Sequence, residues 1–255
     1  MTSYLAVLAI GVPVFVLAGA VKGLIGIGLP TLAIGMLAQF IGAREAIALV
    51  IVPMLVANGW QVLRNDSPLA SVRRVTIEYR VLILSLFVAI GVVALLAPAV
   101  PVVTVTFILG AVVTLFAVIS LWREPAPLSD RFDRLAQGVA GILGGIIGGI
   151  SGIWAPPIII YLSARRIDKQ AFVETVGVLL FGSTAVLMCG YLISGVLAPE
   201  TALRSLAFIP PALLGFSIGE RFRARVSGAL FRKIVMSFFL LMGLNLIRRA
   251  LWGAA

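Results

Sequence analysis

Apolar runs of roughly 18 or more residues recur from one end of this chain to the other, separated by short polar connections. That length is what a helix needs to cross a bilayer, so the pattern predicts an all-α polytopic membrane protein. The first apolar region, 4–40, is too long for one crossing at about 1.5 Å per residue. A glycine-rich break at 23–30 divides it into an outgoing and a returning limb. Spans at 45–63, 81–97 and 102–122 follow, then a polar linker, 123–134, with Pro125, Pro127 and Asp130. The region 135–163 is again too long for one span, and spans at 172–195, 202–218 and 231–251 complete the set.

The stretch 145–157 sits inside an apolar run yet is built from residues that stop a helix: Gly145, Gly148, Gly149, Gly152, Pro156 and Pro157. Unpaired backbone groups in hydrocarbon cost several kcal/mol each, so a broken helix at membrane depth survives only where protein buries it or a polar cavity wets it. A weaker copy lies earlier: Gly19, Gly23, Gly26, Ile27 and Pro30 match Gly145, Gly149, Gly152, Ile153 and Pro156 at a constant offset of 126. Interrupted segments at corresponding positions of two halves point to a transporter's binding site.

Charge placement predicts the topology. The loops at 64–80, 123–134, 165–169 and 221–233 hold fifteen of the twenty Lys and Arg residues, and short basic loops face the cytoplasm. The 135–163 region then begins and ends inside, and the 4–40 region begins and ends outside. The expected architecture is two inverted repeats, 1–122 and 135–255 around the linker 123–134, each a broken-helix hairpin followed by three spans. Both termini are expected outside, in the periplasm of a bacterial cell, and the first span is read as a retained helix. Composition agrees: 61% of residues are hydrophobic, mean hydropathy is +1.16 and 12% are charged, against about 25% in soluble domains. The net charge of +10 falls in clusters between spans, which reads as topology and lipid contact, with no nucleic-acid partner. With no histidine and one cysteine, disulfides, metal clusters and the usual nucleophilic sites cannot be built, so no cofactor and no enzyme is expected.

A helix that restarts at proline presents unpaired N–H groups and a positive dipole end, a natural anion site. The expected substrate contacts are therefore Gly26, Gly28, Pro30 and Thr31 at the first break, and Gly149, Ser151, Gly152, Trp154 and Pro156 at the second, facing each other near the midplane. Asn58 sits mid-span and corresponds, at an offset of 125, to Ser183, with Thr184 adjacent. Lys22 is the cation of the first apolar region, either an anion ligand or a side chain reaching to the interface. The bland role of Gly19/Gly23 and Gly145/Gly149 is close helix packing. Glu174 is the acid that a proton-coupled carrier would use, although its place near a helix start suits a dipole-complementing role better.

The duplicated glycine-rich break with its following proline resembles the TauE/SafE sulfite exporter family over essentially the whole chain. Leu29 stands where that family's first break commonly has another glycine, and Trp154-Ala155 replaces small residues in the second. The resemblance implies transport of a small anion, sulfite or an organosulfonate such as sulfoacetate, across a bacterial inner membrane. A cell interior negative by about 100 mV favours expelling an anion by about 2.3 kcal/mol per charge, so export needs no coupling ion. Coupled uptake of another anion such as a carboxylate, and an anion channel on the same scaffold, remain open at this point, as does a homodimer.

Overall fold

In the computed structural model, which describes residues 4–122, 126–222 and 228–252, all regular structure is helical. Positions 123–125 of the linker and 223–227 of the last basic loop lie outside the described residues. The chain runs α1 (Tyr4–Ile25), α2 (Leu29–Leu37), α3 (Ala43–Leu63), α4 (Pro68–Glu78), α5 (Arg80–Leu96), α6 (Val102–Trp122), α7 (Asp133–Ser151) and α8 (Ala155–Ala164). It continues through α9 (Lys169–Ile193), α10 (Pro199–Ser205), α11 (Ile209–Phe222) and α12 (Gly228–Trp252). Among the described residues eight helical segments are long and apolar enough to cross a membrane, α10 and α11 counting as one, so this is a multi-pass membrane protein.

Three elements differ from the sequence expectation. The returning limbs are only nine and ten residues long, α2 and α8. At 1.5 Å per residue they cover about 14–15 Å, half of a bilayer's hydrocarbon, so each hairpin is one full-length helix and one half-length one. The basic loop at 64–80 contains α4, which Pro68 starts in its first turn. It buries Ser71 and Val75 while Leu69 and Ile77 stay exposed, and a basic composition hides that face from a hydropathy reading. The seventh span begins at Pro199 and reaches Phe222, wider than 202–218.

The most extensive contacts pair α1 with α11, α5 with α7, α6 with α12 and α3 with α9. In lipid no hydrophobic force draws helices together, so packing depends on how closely the backbones approach. Glycine sets that approach here. A Cβ on Gly19 or Gly23 would stand 2.2 Å from the carbonyl oxygens of Ala212 and Phe216 on α11. Gly215 and Gly219 answer from the other side, 2.0 and 2.1 Å from the Val16 and Ala20 oxygens. On α7, Gly145 meets Ala89 at 2.4 Å and Gly149 meets Val93 at 2.7 Å. The packing role of the outer glycines is thus what the geometry carries.

Candidate functional site

Both breaks are made by left-handed backbone. α1 ends at Ile25, and Gly26 (φ +83°) and Gly28 (φ +100°) turn the chain into α2. α7 ends at Ser151, and Gly152 (φ +72°) turns it into α8. A side chain in that region costs about 1–2 kcal/mol, which is why glycine recurs at matching positions. Pro30 then sits in the first turn of α2, and Pro156 in that of α8.

The half-length limbs set the depth of the breaks. α2 leads within a few residues to Arg44, which donates to the carbonyls of Ala97 and Val100 at the α5–α6 turn. α8 ends at Arg165, which is bound to Asp130 and Asp133 of the polar linker. Each break is therefore separated from the polar residues beyond its returning limb by about 14–15 Å of helix. The two do not abut. Gly26 faces Val173 on α9, whereas Gly152 faces Ile34 on α2 and Ile47 on α3, toward opposite ends of the antiparallel α3–α9 pair. Neither half-helix has a side-chain cap: the N-caps are Gly28 and Trp154. Leu29 (0% exposed), Thr31 (2%) and Trp154 (1%) show how dry these ends are. A buried helix N-terminus without capping side chains leaves N–H groups that call for a partner. By contrast, Asp168 caps the exposed start of α9 through the Gln170 and Ala171 amides.

Beside the first break lies a buried polar network. Lys22, 0% exposed, donates to Asn58 Oδ1 at 2.7 Å and to Gln61 Oε1 at 2.6 Å. Asn58 Nδ2 donates onward to Thr184 Oγ1 at 3.0 Å and the Leu180 carbonyl at 3.3 Å, and Gln61 Nε2 to the Val173 carbonyl at 3.1 Å. Burying the ammonium at membrane depth costs about 2.5–3.5 kcal/mol on insertion scales. Two hydrogen bonds from a charged donor return about 1.5–3 kcal/mol each, enough to hold it folded. Lys22 does not reach out to the interface: it points into the bundle. The partner of Asn58 is Thr184, at the same offset of 126 as the glycines, rather than Ser183. Ser183 turns its hydroxyl back to the Leu179 carbonyl at 2.6 Å. Gln61 was missed in the sequence reading, although it lies one turn after Asn58 on the same helix face.

The second break is arranged differently. Ser151 donates to the Ile147 carbonyl and accepts from the Ile153 amide, so its hydroxyl serves the turn. The Gly149 carbonyl accepts from the hydroxyl of Tyr191, a buried α9 residue also absent from the sequence expectation. Trp154 is seated on Gly148, where a Cβ would come within 2.6 Å of it. Its indole N–H is buried with no hydrogen-bond partner among the described residues, as is the hydroxyl of Thr175. Pro156 faces an apolar groove beside α6 rather than the Lys22 network. Among the described residues no group of His, Cys, Asp and Glu is arranged to hold a metal.

Glu174 stands outside this cluster. It accepts from Arg74 at 2.8 Å, from Ser71 at 3.2 Å and from Gln170 at 3.0 Å, tying α4 to the start of α9. Glu174→Gln is expected to cost under about 1 kcal/mol, because the pair is partly exposed. Transport by that variant should keep the pH profile of the parent; a shifted profile would restore a coupling role.

Two helices broken at glycine in corresponding parts of a multi-pass bundle mark a membrane transport protein. The family profile of the sulfite exporter TauE/SafE matches residues 11–246, and the chain belongs to that family. It is also similar to the probable sulfite/organosulfonate exporter TauE of Cupriavidus necator, 26% identical over 145 residues. That match takes in 56% of this chain and 56% of the relative, little more than half of either. No solved structure matches the chain.

Proposed function

We propose that this protein exports a small organosulfur anion, sulfite or a sulfonate such as sulfoacetate, along a path that passes the Lys22 network at the first break and the α8 N-terminus at the second. The observation that carries this reading is the buried, uncapped N-terminus of α2 beside the buried Lys22 ammonium. Two sources of positive potential lie together in a dry region, an arrangement that suits an oxyanion. Lys22, Asn58, Thr184, Gly26, Gly28 and Thr31 act from the first break; Gly152 and Trp154 act from the second. Ser151, Gly149 and Ser183 hold the backbone around the site. The Trp154 indole N–H is the donor best placed by chemistry to reward a sulfonate oxygen, because it has no hydrogen-bond partner among the described residues.

The two halves, 1–122 and 135–255, are read as inverted repeats in a bacterial inner membrane, with both termini periplasmic. Matching breaks at one offset and the concentration of arginine in alternate loops support this. Export follows from the membrane potential, and the engagement of Glu174 with Arg74 leaves no reason to invoke a coupled proton.

The test is thermal stabilisation of the detergent-purified protein across sulfite, thiosulfate, sulfoacetate, sulfolactate, acetate and phosphate. A ligand at 100 times its Kd adds about 2.7 kcal/mol to the folded state. A selective shift with a sulfur oxyanion, lost in Asn58→Leu, is the expected result. A shift with acetate alone would keep the site and overturn the substrate class.

A further inference from the structure

An apolar groove of about 520 Å³ opens between α6, α7 and α8. Phe116 and Ile119 line it from α6, Leu143 and Ile147 from α7, and Ile160 and Tyr161 from α8. The positions 126 residues away show what usually fills such a space. There, Met242 of α12 presses onto Gly35 of α2, where a Cβ would come within 2.2 Å of its methyl. Asn245 donates to Gln39, and Arg249 to the Ala38 carbonyl, so α12 is latched to α2. In the groove the counterparts of Met242 and Gly35 are Phe116 and Tyr161. The Tyr161 ring is fixed by its hydroxyl, which donates to Asp133 at 2.7 Å, and by an edge contact with Tyr79 at 6.2 Å. Burial, with Glu78 beside it, pushes the Tyr79 phenol up to about 12, so that ring stays neutral. A tyrosine held in this way leaves no slot for Phe116, and α6 stands off from α8.

We infer that this groove holds one acyl chain of an anionic phospholipid. Three observations select that occupant. The lining of the groove includes almost no polar surface, so in a bilayer hydrocarbon fills it. Along α7 it runs from Ala136 to Ile147, about 16 Å of helix, which is one leaflet and not a passage across. Its polar end, by Leu128 and Ala164, is flanked in sequence by Arg131, Arg134 and Arg166, all exposed, while Asp130 and Asp133 are taken up by Arg165. These exposed arginines make that end of the groove electropositive, which favours an anionic headgroup. The inference rests on the membrane setting of the chain and not on what it transports.

Native mass spectrometry of the full chain, purified in detergent and exposed to equal amounts of phosphatidylglycerol and phosphatidylethanolamine, tests it. One phosphatidylglycerol per chain should be retained under conditions that strip phosphatidylethanolamine. Leu143→Trp, which fills the groove, should abolish that retention, whereas Val88→Trp, on the lipid-facing side of α5, should leave it intact. The pair Arg131→Gln and Arg134→Gln should cut the preference about fivefold per arginine removed. Equal retention of both lipids, or retention unchanged by Leu143→Trp, would overturn the inference. So would efficient disulfide formation between two chains through Val139→Cys in a Cys189→Ser background in native membranes, since a second copy would then cover the groove.

Discussion

Lys22→Met is expected to weaken the anion response about 100-fold and to leave the protein folded. Methionine keeps the length and apolar stem of lysine, so the packing of α1 survives. The ammonium no longer has to be buried, which returns about 2.5–3.5 kcal/mol. Against this, the buried oxygens of Asn58 and Gln61 each lose a donor, at about 1–3 kcal/mol apiece. The two sums are of the same size, so the melting temperature should move by a few degrees in either direction. Anion affinity should not be spared. Losing a fully buried positive charge from the site is expected to weaken binding about 100-fold, or about 2.7 kcal/mol. The check is the melting shift given by sulfite and sulfoacetate, measured on parent and variant side by side. A variant that melts normally and still responds at the same concentrations would reduce Lys22 to a structural strut.

Gly23→Ala and Gly145→Ala act in the opposite way, on the bundle itself. One methyl group at position 23 meets the Phe216 carbonyl oxygen at 2.2 Å and the Glu220 amide at 2.8 Å. Both are backbone, so no rotamer change relieves the clash and α1 must move off α11. At position 145 the Ala89 methyl, 2.4 Å away, and the Leu86 carbonyl, 2.9 Å away, raise the same obstacle between α7 and α5. Overpacking of this kind costs typically about 1–3 kcal/mol. Gly42→Ala is the control, with nothing within 4 Å and ordinary extended backbone. Thermal melts in one detergent should rank Gly42→Ala near the parent and the other two well below it. If Gly23→Ala melts with the parent, the α1–α11 contact is looser than described.

Much of this was legible in the chain because bilayer physics writes itself plainly into sequence. Long apolar runs marked the crossings, and glycine followed by proline marked the breaks at Gly28-Leu29-Pro30 and Gly152 to Pro156. What stayed hidden depends on three-dimensional register. Asn58 could be aligned with Ser183 or Thr184 by counting, but only the antiparallel crossing of α3 and α9 decides that Thr184 is the one it meets. Gln61 reads as an ordinary interfacial residue near Arg64 until Lys22 is seen reaching it. Tyr191 reads as an aromatic at a span's end, the usual place for one, and gives no sign that its hydroxyl holds the Gly149 carbonyl. The lengths of α2 and α8 were legible in part: Arg165 and Arg166 mark the end of α8, whereas after the first break the chain runs on past Leu37 to Phe40 before Gly42 and Arg44.

The helix pairing described above bears on how the molecule can move and be made. α1 embraces α11 and α7 embraces α5, so each half of the chain is interlaced with the other. The sequence halves are therefore not the mechanical halves. A rocking motion of residues 1–122 against the rest would tear two glycine-lined seams where backbones are in contact. Synthesis meets the same constraint: α1 leaves the ribosome long before α11 exists to cover Gly19 and Gly23. The early helices must wait in the membrane with those faces bare, and only the last third of the chain closes the bundle around them.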